Sequence, residues 1–550
     1  MNDGQRPTSK LLRPLSATAL VALAGYALST RLSSFSILWP YRPPALGVFY
    51  YLYERNEPTL FLLSALFLLC AGLWLRRSVE TSPSPAAAPL PSRTGLLALF
   101  VLGVTSAGTI LVYRSYFLSM DEYMAHYQAL ILSNGHLLAR VPDSWMPFEE
   151  ALRPLFAQFN PAFQSWYSAY LPGYAAIRAL FAVAGAEVFT NAVLSALTIL
   201  AVAAAARRIW PGEPDAPFVS ALLLATSSQL LVNGMTAYAM PAHLLLSLVW
   251  LLLHLHPSRR AALAVPWIGI LALTLHQPNI HALFVCPFVV RLVRERRWRR
   301  FTYYGGVYLL GTGLSFLWLR IGQLKGGQAT IANIFALPGP ANLLIQALQG
   351  ILLVNWQNPL LFVLLAAGLA AWRGFPPAAR DLLGSAVLTI GFFAFFPLDQ
   401  GHGWGDRYAH SILGNLALLA IPGWAVLRSS AGPHKARRLL GAATAFSLLL
   451  AFPVRSFQVS EFVAPFARAS AYLETRSADF VLFDPQSVWY GQDLVRNDPF
   501  LRNRPLVLSL PALGTSDIPT LAAMGRTVMV TPREMAVLGL RTRRVTMNGR

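Results

Sequence analysis

Apolar runs of bilayer-crossing length recur along most of this 550-residue chain. A spanning helix needs about 20 apolar residues, with a range of roughly 17–25. Runs near that length lie at about 15–30, 58–75, 94–113, 188–206, 217–232, 242–256, 261–276, 279–293, 302–319, 357–372, 382–397, 408–427 and 439–454. Lipid offers no partner to a bare backbone amide, so helices and closed barrels are the structures that cross it. The pattern therefore predicts an α-helical polytopic membrane protein with about 13 transmembrane helices. The composition, 55% hydrophobic and 12% charged, is too apolar for an ordinary soluble domain.

The net charge is +20, but its distribution carries more information than its size. Half of the 44 Lys and Arg residues fall in short clusters between apolar runs, among them Arg76/Arg77, Arg207/Arg208, Arg259/Arg260 and the stretch from Arg291 to Arg300. Clusters of this kind mark cytoplasmic loops. The charge is read as a topology signal, and nucleic acid is excluded as a partner. Leu171–Gly185 is apolar but short, and it carries Arg178. Counting it as a crossing reverses the charge bias of every later loop, so it is assigned to a helix lying in the outer surface. The N-terminus is then cytoplasmic and the C-terminus periplasmic. The run near Leu15–Thr30 lacks a small-residue cleavage site and reads as a retained span. Cys70 and Cys286 sit inside apolar runs and suggest neither a disulfide framework nor a thiolate site.

Four regions follow. Residues 1–80 form a two-span hairpin, and 81–93 a cytoplasmic linker rich in Pro, Ala and Ser. Residues 94–454 form the membrane core, with a long external loop over 114–187 and shorter outer segments near 320–356 and 398–407. Residues 455–550 change character: Phe480–Asp484, Pro505–Leu510 and Thr527–Thr531 read as buried strands, with helical patterns near 460–475, 516–524 and 533–539. These predict a small α/β domain outside the membrane. No glycine-rich phosphate motif opens any of its helices.

The candidate chemistry begins at Ser119-Met120-Asp121-Glu122, where an apolar run gives way to the long loop. Ionised groups beside a bilayer are costly and ask for a reason. Ser119-x-x-Glu122 fits a capping box, and acids suit the first turn of a helix, so capping stands beside catalysis as an explanation. Successive helical residues project about 100° apart, so only one of the two acids points straight into any site. Tyr123, Tyr170 and other aromatic residues of the same loop suit sugar faces, and they suit membrane interfaces as well. Glu122 and His126 are spaced i, i+4, a weak hint of a shared metal against packing at the interface.

Several of these elements resemble a known family. An apolar span, Asp121-Glu122, an amphipathic helix closing at Asn134-Gly135, the Tyr170-Leu171-Pro172-Gly173-Tyr174 stretch and the late Trp404-Gly405-Asp406-Arg407-Tyr408 element are similar to features of the GT-C glycosyltransferases. That family includes the bacterial aminoarabinose transferases and the protein O-mannosyltransferases. The resemblance implies a GT-C-like fold and transfer of a sugar from a polyprenyl-phosphate donor to a lipid, glycan or protein acceptor at the outer face of the inner membrane. It maps the catalytic acid onto Asp121, with Glu122 as companion. Arg407 is the leading candidate for the donor phosphate, because a guanidinium fork matches phosphate oxygens. Lys325, His276, Tyr123, Tyr170 and Trp404 are further substrate-binding candidates. The loop Asn233–Pro241 lacks the acid that many members carry there, so a divalent metal is disfavoured and no metal ligand is assigned. Competing readings are a transporter or lipid flippase, which would gather charges near the bilayer midplane, and an assembly protein of the envelope.

Overall fold

The computed structural model describes residues 9–31, 48–77, 89–90, 93–321, 339–395 and 402–543. A helix occupies each of the thirteen apolar stretches. They are not equivalent. Six helices among the described residues are long and apolar enough to cross a membrane, or seven if the bent pair Leu343–Asn355 and Leu360–Leu369 counts as one. The count of about thirteen thus rests on apolar runs, several of which fold into shorter or broken pieces. The 217–232 run is one example. It splits into Ala216–Ala225 and Ser228–Asn233, because Ser227 caps a new helix by accepting from the Leu230 amide. The 302–319 run, by contrast, is unbroken. It lies in one 24-residue helix, Trp298–Ile321, with Arg299, Arg300 and Arg320 near its ends. The stretch read as an outer loop over 320–356 also needs correcting. Its described part is mostly the helix Pro340–Asn355, which meets Leu360–Leu369 at 102°.

Burial orders the bundle. The helices at Thr94–Leu111 and Pro433–Glu474 bury a third of their most apolar window, whereas His410–Ala431 buries 83%. His410–Ala431 therefore runs through the centre, and the other two turn apolar side chains outward, as lipid requires.

The 114–187 segment is structured. It holds the helix Met120–Ser133, then strands β1 (Ala139–Arg140), β2 (Ala157–Asn160) and β3 (Ser165–Ser168), then the helix Gly173–Val183. The strands form an antiparallel sheet in the order β1-β3-β2. The 11 residues of Gly173–Val183 are too few to span a bilayer. Arg178 inside that helix is buried with a counter-charge: its Nε donates to Glu187 Oε1 at 2.9 Å, and its Nη2 lies 2.8 Å from the same oxygen. The helix enters against the bundle, where the Gly173 amide donates to the Thr274 carbonyl at 2.8 Å. A Cβ at Gly173 would lie 2.5 Å from Thr274 Oγ1, so only glycine allows this approach.

Past the membrane helices, β4 (Phe480–Phe483), β5 (Leu506–Ser509) and β6 (Thr527–Val530) make a parallel sheet in the order β5-β4-β6. The helix Phe452–Glu474 leads into it through the short connection 475–479. Phe480, Leu482, Leu506 and Leu508 share one apolar core with Met120, Tyr123, Met124, Tyr127 and Trp166. The C-terminal sheet is thus clamped onto the helix that carries Asp121.

Candidate active site

The helix Met120–Ser133 starts where the sequence places it. Ser119 is extended and its hydroxyl accepts from the Glu122 amide at 3.4 Å. The capping box does not close, however. Glu122 sends its carboxylate elsewhere, accepting from the Tyr113 hydroxyl at 2.7 Å and from the Ala237 amide at 3.1 Å. Glu122 is wholly buried. Burial raises its pKa to about 7, against the lowering pull of the Tyr113 and Ala237 hydrogen bonds. Trp404 belongs to the same buried chain, donating from Nε1 to the Tyr113 hydroxyl at 3.2 Å. Both residues tie loops together behind the site.

Asp121, one residue earlier, points the other way. Its Oδ2 accepts from Arg407 Nη1 at 2.9 Å, and its Oδ1 accepts from the Tyr170 hydroxyl. Two residues 286 positions apart in sequence are therefore in direct contact. Burial acts to raise the Asp121 pKa, but Arg407, His276 and the Tyr170 hydroxyl outweigh it and hold the group below its ordinary value. The carboxylate is ionised at neutral pH. For Arg407, burial disfavours the cation, and Asp121 with the rings around it more than restores it.

Arg407 owes its position to a tight turn. Gly405 adopts φ +66°, and a Cβ there would meet Gln229 Oε1 at 2.9 Å. Asp406 does not pair with Arg407; its Oδ1 accepts from the Ala409 amide at 3.1 Å and starts the following helical turn. The Arg407 guanidinium lies 5.1 Å from the Tyr238 ring centre and 5.5 Å from that of Tyr408. Tyr238 is a site residue that sequence reading overlooked. Its hydroxyl lies 3.0 Å from Ser119 Oγ and donates to the His402 carbonyl at 3.2 Å. Its signal was slight: one aromatic ring between Ala237 and Ala239, in a loop otherwise notable for lacking an acid.

His276 closes the group. Its ring centre lies 4.2 Å from that of Tyr170. Asp121, Tyr170, Tyr238 and His276 line a narrow cavity of about 20 Å³, together with residues such as Gln128 and Tyr174. That is room for about one water in this conformation.

The remaining candidates fall outside this cluster. Tyr123 faces the opposite side of its helix, and its hydroxyl donates to the Asn497 carbonyl at 2.9 Å. His126 pairs with Glu187 at 2.8 Å and not with Glu122, which removes the shared-metal idea. Lys325 lies outside the described residues. Among the described residues no three His, Cys, Asp or Glu side chains group as metal ligands. The donors around Asp121 also fit a divalent ion poorly, since a guanidinium and a phenol already hold its two oxygens.

This helical membrane bundle has counterparts among solved structures. The chain is similar to ArnT from Cupriavidus metallidurans in the apo state, with a TM-score of 0.53 at 13% identity over 81% of this chain and 95% of that one. It is likewise similar to ArnT from the same organism bound to undecaprenyl phosphate, with a TM-score of 0.50 at 14% identity over 78% and 88% of the two chains. No protein-family model matches the sequence, and no curated protein matches it. At these identities the likeness is one of fold: this chain has the fold of ArnT.

Proposed function

We propose that this chain is an integral membrane glycosyltransferase. It moves a sugar from a polyprenyl-phosphate donor to a lipid, glycan or protein acceptor at the outer face of a bacterial inner membrane. In this reading the thirteen helices cross or enter the membrane, the N-terminus is cytoplasmic, and the C-terminal α/β part is periplasmic. The observation that carries the reading is the Asp121–Arg407 pair, 2.9 Å apart, with Asp121 lining a small cavity, in a fold shared with a protein bound to undecaprenyl phosphate.

The chemistry follows from the pair. An acceptor hydroxyl attacks the anomeric carbon, and a new C–O bond forms there. The old bond to the phosphate oxygen breaks, and the lipid phosphate leaves with the electron pair. Asp121 receives the acceptor proton. Arg407 meets the charge that grows on the leaving phosphate.

Donor binding also changes the base. A phosphate competes with Asp121 for the same guanidinium. A buried carboxylate that loses its counter-charge becomes more basic, because desolvation is no longer offset. The pair is thus held in reserve until the donor arrives. Tyr170, its ring packed at a tilt against His276, keeps Oδ1 in place meanwhile.

The direct test is transfer of labelled sugar from a polyprenyl-phosphate donor in membranes carrying Asp121→Asn. Loss of general-base action costs about 10²–10⁴ in rate. Transfer at the wild-type rate would remove Asp121 from the chemistry, and substrate movement with no covalent product would make the chain a transporter.

A further inference from the structure

The helix Met120–Ser133 has a second face. Asp121 looks into the small cavity, while Tyr123 and His126 look into a much larger groove of about 720 Å³. That volume lies within the roughly 300–1,000 Å³ of typical small-ligand sites. One wall is the chain leaving Thr94–Leu111, the other is the end of Phe452–Glu474, and residues 496–505 of the C-terminal part form the floor.

The lining mixes aromatic rings with both signs of charge. Tyr116, Phe117 and Tyr123 supply rings. Arg496 is sandwiched between two of them, 4.2 Å from the centre of Tyr116 and 5.0 Å from that of Tyr123. Its Nη2 also donates to the Phe117 carbonyl, so the rings and the guanidinium form one rigid platform. Arg114 and Arg504 add cations, and Glu474 and Asp498 add carboxylates. Arg114 and Ser115 are both in the left-handed region, with φ +59° and +52°, and this turn sets exposed Arg114 at the groove's edge.

One atom argues for a ligand. The Tyr116 hydroxyl is buried and has no hydrogen-bond partner among the described residues, although the residue lines the groove. An unmatched buried hydroxyl is costly, so such groups are rare unless something else meets them.

We propose that this groove is a second saccharide-binding site, separate from the transfer cavity, for an uncharged, hydroxyl-rich sugar chain. Sugar hydroxyls both donate and accept, which suits neighbouring guanidinium and carboxylate groups of nearly balanced charge. The apolar C–H faces of sugar rings suit Tyr116 and Phe117. A bare anion would meet Glu474 and Asp498 along with the arginines. The proposal stands apart from the transfer reading, because none of these residues touches Asp121 or Arg407.

The experiment is titration of the full chain in nanodiscs with maltotriose, cellotriose and chitotriose, followed by saturation-transfer NMR. Sulfate and phosphate serve as anion controls. At least one trisaccharide should bind. Tyr116→Phe should weaken it about tenfold while leaving the melting temperature unchanged or higher, since the variant removes only an unmatched hydroxyl. Arg114→Ala, at an exposed position, should weaken it severalfold. Asp121→Asn should bind as well as wild type, which keeps this site distinct from the transfer cavity. The proposal is overturned if no trisaccharide binds. It is overturned equally if both groove variants bind normally, if Asp121→Asn abolishes binding, or if sulfate or phosphate binds as tightly as the sugars.

Discussion

Two of this molecule's arginine–carboxylate pairs, Arg455–Glu57 and Arg407–Asp121, have contrasting surroundings. Arg455 and Glu57 join the helices Phe452–Glu474 and Glu57–Arg77 through two parallel bonds of 3.0 Å, with side-chain exposures of 1% and 0%. The Trp356 ring lies 4.7 Å away, and Ser228 Oγ accepts from Nη1 at 3.3 Å. Neither residue lines the transfer cavity or the groove beside it. Arg407 and Asp121 share a hydrogen bond of 2.9 Å and remain 9% and 18% exposed, and Asp121 lines a cavity. A bidentate, enclosed pair satisfies itself and fixes two helices. A pair whose carboxylate lines a cavity has a member that a ligand can reach. The same two chemical groups serve stability in one place and, under the proposed function, exchange in the other.

The contrast can be broken by removing one member of each pair. The largest effect belongs to Glu57→Gln. Leaving Arg455 buried without its counter-charge costs about 3–5 kcal/mol. The yield of folded chain and its melting temperature should fall sharply, while transfer per folded molecule stays near wild type. A large drop in specific activity at normal stability would mean that this pair also serves the reaction.

Arg407→Ala should do the reverse. Losing one donor aimed at developing charge costs about 10²–10³ in rate, with little change in melting temperature. It also shifts the pH profile. Arg407 helps hold Asp121 below its ordinary value, so the base form of wild type persists well into acid. In the variant, activity should fade at higher pH as the solution is acidified. A profile whose acid limb stays put would show that Arg407 does not control Asp121.

Glu122→Gln is the smallest perturbation and separates the two adjacent acids. The folded pKa of Glu122 is raised to about 7, above that of an exposed glutamate. Such a group contributes stability below its unfolded pKa, and that contribution is lost as pH rises through about 7. Wild type should therefore lose melting temperature between about pH 5 and 8 relative to Glu122→Gln, while the variant transfers sugar within a few-fold of the wild-type rate. A loss as deep as that of Asp121→Asn would return Glu122 to the catalytic group.

Sequence reading went furthest where periodicity or a helix start fixes geometry. The step of about 100° between helical neighbours separated Asp121 from Glu122, and the structure turns them to opposite partners, Arg407 and Tyr113. The strands near 480, 506 and 527 stood out because short apolar runs between turn residues have few other uses. Tertiary contacts were less legible. Tyr123 and Trp404 looked like substrate platforms, yet each is buried against a partner far along the chain, Asn497 and Tyr113. The thirteen apolar runs showed where helices form, but not that Ser227 would divide one of them. Nor did they show that 340–355 would be helical in a stretch expected to be a loop.

The central claim is that the donor phosphate takes Arg407 from Asp121. The affinity of purified wild type and Asp121→Asn for undecaprenyl phosphate measures this directly. Asp121→Asn should bind about tenfold tighter, a change of roughly 1.4 kcal/mol, because the phosphate no longer competes for the guanidinium. Equal or weaker binding by Asp121→Asn would contradict the claim.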